Sequence, residues 1–135
     1  MDTRSAARRW ADTWQRCWLT GDAGTIAALY APGARYSTAP FRDPYFGPDG
    51  ALAYLRPVFE EESNVEAHFG EPIVDGDRAS VQWWASLTEP ERDVTYAGTS
   101  TLRFDADGLV TDEWDSWNEA EGRHVPPHGW GRAAA

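Results

Sequence analysis

A change of period at Asn64 constrains this chain more than any other feature. Upstream of it, apolar residues recur every three or four positions, the spacing that lines one face of a helix. Downstream they alternate, and the alternating runs are broken by Asp75-Gly76-Asp77 and Asp107-Gly108, both hairpin signals. Helices followed by strands predict an α+β fold, with the helices packed on one face of an antiparallel sheet. A chain of 135 residues fits one domain that buries about two thirds of its unfolded surface.

In the first half, residues 5–19 read as a helix with Ala7, Trp10, Ala11, Trp14, Cys17 and Trp18 inward and Thr20-Gly21 as its stop. Asp22 caps a short second helix that runs through Tyr30 and ends at Pro32-Gly33. Residues 34–37 read as a short strand. Residues 39–50 form a loop unusually rich in aromatics, with Phe41, Tyr45 and Phe46. Pro48 and Asp49 open a third helix to about Glu62, with Leu52, Leu55, Val58 and Phe59 as its apolar stripe and an expected kink at Pro57. Strands are expected over 65–74, 79–87, 94–104 and 109–118, as a four-stranded meander. The domain is placed at 1–118. Residues 119–135 are a Pro/Gly-rich tail, expected to be partly disordered.

Eight tryptophans sharpen the picture. Trp10, Trp14 and Trp18 share one helix face, and so much indole is more than a small core needs. A buried indole also wants a partner for its N–H. An aromatic-lined cavity, roofed by a helix and walled by a sheet, accounts for both. Strand alternation puts Trp83 and Trp114 on the cavity face and Trp84 and Trp117 on the outer face. Two outward tryptophans beside Gln82, Glu113 and Asp115 predict a homodimer through the outer sheet face.

Charge narrows the partners. A net charge of −10 argues against nucleic acid and against anionic membrane surfaces. No apolar run approaches the roughly 20 residues that span a bilayer, and the first 18 residues lack a signal-peptide core, so a cytoplasmic protein is expected. Cys17 is the single cysteine, so no internal disulfide forms, and it is read as a packing residue. His124 and His128 stand four apart, but Pro126 and Pro127 prevent the helix that would align them, and no metal site is expected. No phosphate-binding glycine loop and no G-x-S-x-G motif is present, and no cofactor is expected.

The order of elements, with the residues at their turns, resembles the nuclear transport factor 2-like superfamily, and within it the SnoaL-like group. The matching pieces are Thr20-Gly21-Asp22 with Leu29-Tyr30-Ala31-Pro32, then Pro40-Phe41-Arg42-Asp43-Pro44 with Gly47, then residues 105–110 leading into Trp114-Asp115-Ser116-Trp117-Asn118. The resemblance covers about residues 7–118. It implies a cone-shaped α+β barrel, a curved antiparallel sheet wrapped around the N-terminal helices. It also implies a pocket open at one end, and commonly a homodimer. Relatives include isomerases, cyclases, epoxide hydrolases and dehydratases, and also proteins that only bind ligands or partners.

The resemblance directs attention to two places. Hydrolase- and cyclase-like relatives often carry a carboxylate at the end of the last strand, where this chain has Asn118, which can orient water but not exchange protons at neutral pH. On that register Asp112 becomes the acid, beside a hairpin. Isomerase-like relatives hold their base in an Asp-Pro loop before the third helix, and Asp43-Pro44 is similar. Asp43 among Phe41, Tyr45 and Phe46 is the candidate base, against the alternative of a turn starter paired with Arg42. Tyr36 is the candidate oxyanion partner. His68 is a lesser candidate base. Trp14, Trp18, Phe41, Tyr54, Phe59, Trp83, Tyr96 and Trp114 are the expected walls of a site for a small apolar or aromatic ligand. Two function classes follow. One is a cofactor-independent isomerase, cyclase, dehydratase or hydrolase acting on an apolar substrate. The other is a non-catalytic ligand-binding or protein-interaction module.

Overall fold

The computed structural model describes residues 1–134. Helix α1, Thr3–Thr20, begins where the Asp2 carboxylate accepts the Ser5 backbone N–H at 2.7 Å. It ends at Gly21, whose φ of 69° is the left-handed cap that glycine adopts without strain. Trp10, Trp14, Cys17 and Trp18 are buried along one face, as the spacing predicts. The second helix, α2, is Ala23–Ala27 and stops short of Tyr30. Tyr30 instead opens strand β1, Tyr30–Ser37, by pairing with Val110. Pro32 and Gly33 therefore do not precede the strand but sit inside it, where the register shifts between Tyr30 and Arg35.

Strand β2, Tyr45–Phe46, leads into α3, Gly47–Glu60, which runs through Pro57. The strand expected over 65–74 is two strands, β3 (Ser63–Phe69) and β4 (Ile73–Asp75), both paired to β5 (Arg78–Glu89). Pro72, which has no N–H to give to a ladder, lies in the break. Strands β6 (Arg92–Phe104) and β7 (Val110–Glu121) complete a seven-stranded sheet of order β2-β1-β7-β6-β5-β3. Every pairing is antiparallel except β1 with β7. The architecture is the expected α+β cone: N-terminal helices against a curved, unclosed, mostly antiparallel sheet. No helix among the described residues is long and apolar enough to cross a membrane.

One irregularity decides which side chains face the helices. Phe104 pairs with Val110 while Arg103 pairs with Asp112, so β7 advances two residues for one on β6. Thr111 is the extra residue of a β-bulge, and its hydroxyl donates to the Arg103 carbonyl at 3.2 Å. A one-residue slip moves every later side chain to the other face. Val110 is buried, but beyond the bulge Glu113, Asp115 and Trp117 turn inward, while Trp114 and Asn118 are exposed. The facing assigned from strict alternation is thus reversed along most of the strand. Gly98 lies opposite Trp117, and a Cβ there would fall 2.1 Å from the Ser116 carbonyl oxygen.

The tail packs on the side of the sheet away from the helices. Trp84 donates its indole N–H to the His124 carbonyl at 2.8 Å, and Trp130 meets the Trp84 ring edge-on at 6.0 Å. Glu71 N–H donates to the Gly131 carbonyl at 2.7 Å. Trp84 is therefore covered by its own chain, and Trp117 faces inward, so neither offers the outward patch on which the dimer expectation was built.

Candidate functional site

Between α1, α3 and the inner face of the sheet lies a cavity of about 250 Å3. Helix α1 supplies Trp10, Trp14 and Trp18; α3 supplies Tyr54 and Phe59; the sheet supplies Tyr36, Phe69, Trp83, Tyr96 and Trp117. The indoles are held edge to face: Trp14 meets Trp18 at 5.6 Å and Trp18 meets Trp83 at 5.9 Å. Trp117 is fixed by its N–H, which donates to the Thr38 carbonyl at 2.7 Å, and the Arg42 guanidinium lies 5.4 Å above its ring.

The polar feature of the β7 wall is a pair of carboxyl groups. Glu113 is 1% exposed and receives the Tyr30 hydroxyl proton on Oε1 at 2.5 Å. Asp115 keeps partial exposure and receives the Ser100 hydroxyl on Oδ1 at 2.6 Å. Ser100 in turn accepts the Trp83 indole N–H at 3.0 Å, so its own proton is committed to Asp115. Glu113 and Asp115 stand on the same face of β7 and both line the cavity, close enough for each to act on the other's charge. Burial and the neighbouring Asp115 charge push Glu113 well above the usual carboxylate range. Burial raises Asp115 to about 6, and the bond from Ser100 limits the rise. Burial raises both carboxyls, and their mutual repulsion makes them titrate as a pair, with Glu113 the harder of the two to ionise. Beside them, burial raises the Tyr36 and Tyr30 phenols well above their ordinary value, and Tyr54 to about 12, so all three stay neutral donors.

Seven of the eleven expected site residues line this cavity: Tyr36, Trp14, Trp18, Tyr54, Phe59, Trp83 and Tyr96. Four lie elsewhere. Asn118 and Trp114 are turned out by the bulge at Thr111, with Trp114 39% exposed. Asp43 is exposed on its loop, and Phe41 is fully exposed; from that loop Arg42, not Asp43, reaches the cavity. His68 pairs opposite Trp84 and is exposed. The sequence reading missed Glu113 and Asp115, because a bulge carries no signature in a strand of this composition. It also missed Glu62, whose carboxylate accepts the Trp18 N–H at 2.8 Å. Its spacing from Leu55 and Phe59 continues the inner stripe of α3, which was the available signal.

An unclosed sheet of this order, curved round an aromatic cavity and lined by helices, is the architecture of the nuclear transport factor 2-like proteins. Residues 7–113 match the SnoaL-like domain, and the chain belongs to that family. Solved structures agree on the fold. An LEH-like epoxide hydrolase of Mycobacterium tuberculosis is 17% identical with a TM-score of 0.70, over 87% of this chain and 86% of that one. SalBIII, an epoxide hydrolase/cyclase-like enzyme in pyran ring formation in the polyether salinomycin, is 15% identical with a TM-score of 0.76, over 90% of this chain and all of that one (100%). A second Mycobacterium tuberculosis protein is 17% identical with a TM-score of 0.74, over 90% of this chain and 100% of its own. No curated protein matches the sequence.

Proposed function

We propose that the cavity binds a small, largely apolar molecule and carries out cofactor-independent acid–base chemistry on it, of the isomerase, cyclase or hydrolase type. The observation that carries this reading is the Glu113–Asp115 pair: two carboxyl groups on one face of β7, both lining an aromatic cavity and both raised by burial. A base works best when its pKa lies near the operating pH, and burial brings Asp115 toward it. Asp115 accepts a proton from substrate carbon, from substrate hydroxyl or from an attacking water. The neutral phenols of Tyr36 and Tyr54 are donors for the oxygen on which negative charge develops. Glu113 holds Asp115 in place, and the proton that Asp115 takes returns from Asp115 to the product, which regenerates the pair. Asn118 and Asp43, outside the cavity, take no part in this scheme. The likeness to epoxide hydrolase/cyclase-like enzymes supports the reaction class by analogy of fold only.

The test is a tryptophan-fluorescence titration against steroids, polycyclic aromatics and terpenoids, followed by assay of every binder, and of its epoxide and enone derivatives, for conversion. Conversion that disappears in Asp115→Asn upholds the proposal. Saturable binding with no conversion of any binder leaves a non-catalytic ligand-binding protein.

A homodimer through the outer sheet face stands as a proposal too, now centred on exposed Trp114. Light scattering at micromolar concentration tests it, and a monomer overturns it.

A further inference from the structure

The carboxyl pair does not use every acid in the cavity. Glu62 follows α3, and its carboxylate is fixed by the indole N–H of Trp18 at 2.8 Å. It has no cationic partner among the described residues. Glu61 and Glu89 line the same cavity, and Arg42 is the one lining cation among the described residues, already placed over Trp117. An anion set among aromatic rings without a counter-ion is costly. Its burial, with Glu89 nearby, holds the Glu62 carboxyl up at about 7. Two things relieve that cost: a proton, or a cation brought by a ligand.

The surrounding surface fits the second. Trp18 stands between Trp14 and Trp83, and Phe59 and Phe69 lie against Trp14, so the Glu62 carboxylate borders a box of ring faces and edges. Ring faces attract organic cations, more strongly once water is excluded, and the excess of carboxylates repels anionic ligands. The Trp14 Nε1 and Thr38 Oγ1 atoms, on lining side chains 7% and 1% exposed, have no hydrogen-bond partner among the described residues.

We propose that this cavity selects a hydrophobic amine in its protonated form, with the ammonium against Glu62 and the hydrocarbon body among Trp14, Trp18, Phe59 and Phe69. The inference rests on the reading of the cavity as a ligand site and narrows its substrate class.

A matched pair of probes separates charge from shape. Phenyltrimethylammonium and tert-butylbenzene differ by a nitrogen cation in place of a carbon. Dissociation constants are read from tryptophan quenching for the wild type and for Glu62→Gln. The ammonium is expected to bind at least about tenfold tighter than its carbon counterpart, the size of one desolvated cation–π contact plus an ion pair. Glu62→Gln is expected to lose most of that preference while binding tert-butylbenzene as the wild type does, which also shows that the variant is folded. Equal or tighter binding of tert-butylbenzene by the wild type overturns the inference and leaves the proposed function standing. A preference that survives Glu62→Gln overturns the assignment to Glu62. Failure of both probes to bind removes the ligand site itself.

Discussion

Glu113 and Asp115, two residues apart on β7, both line the cavity beyond the bulge at Thr111, and Asp115 is the more exposed of the two. Asp115→Asn keeps the shape and the Ser100 bond but removes the base. It is expected to lower any turnover by about 10²–10⁴-fold, the range for loss of a general base. Asp43→Asn, exposed on its loop, is expected to leave turnover within about twofold. Rates measured side by side on one converted substrate decide the matter, and a reversed ranking returns the base to the loop.

Turnover should also follow pH in a stated direction. The working form of Asp115 is its carboxylate, and its pKa is raised to about 6. Turnover per molecule of substrate at low concentration is therefore expected to rise as pH passes upward through about 6 and then level off. A rate already flat from pH 5 upward contradicts this assignment.

Stability should run the other way. A carboxyl whose folded-state pKa is raised binds more protons folded than unfolded between its two pKa values, so stability falls as pH rises through that window. For Glu62 the window is about 4.5 to 7, and the loss is at most about 3 kcal/mol, reduced by its partial exposure. Thermal melts of Glu62→Gln should lose part of the wild-type decline between pH 5 and 8. Identical pH profiles would show that Glu62 is an ordinary solvated acid.

Most of the fold was legible in the sequence, and the reason is patterning. The helix face of Trp10, Trp14 and Trp18, the cap at Gly21 and the Asp-Gly turns each follow from local rules, and each stands where those rules put it. What failed was parity. Unbroken alternation, with Asn118 taken on the pocket face, pointed Trp114 and Asn118 inward, and one extra residue at Thr111 reversed them. The pairing of β1 with β7, which joins residues about 80 apart in sequence, was equally invisible. That pairing and the bulge together build the carboxyl site, so local reading found the aromatic walls and missed the acid–base pair set in them.

Gly98 is the place where that register is most exposed to mutation. A methyl group there meets the Ser116 carbonyl oxygen at 2.1 Å and the Trp117 Cα at 2.7 Å, both backbone neighbours that cannot give way. Gly98→Ala is expected to destabilise the protein by about 3 kcal/mol or more and to disturb Trp117, measured by denaturant unfolding and near-ultraviolet circular dichroism. A loss below about 0.5 kcal/mol would mean that β6 and β7 do not approach as closely as they do here.

The tail offers a cleaner separation of stability from binding. None of residues 122–134 lines the cavity, yet His124, Trp130 and Gly131 cover Trp84 and the β3 end. Truncation after Gly122 is expected to cost about 2 kcal/mol through exposure of Trp84 and loss of the Trp130 contact, with ligand affinity within about twofold of the full chain. A large loss of affinity at unchanged stability would place the tail over the cavity mouth instead.

The proposed chemistry requires that the buried Glu113–Asp115 pair keep a proton at neutral pH. Carbon-13 NMR of the side-chain carboxyls, titrated from pH 3 to pH 9 with Asp115→Asn for assignment, measures this directly. The account predicts one step near pH 6 that belongs to the pair, with Glu113 still protonated at neutral pH. Two ordinary steps near pH 4 would contradict it and would leave two independent, solvated carboxylates on the β7 wall.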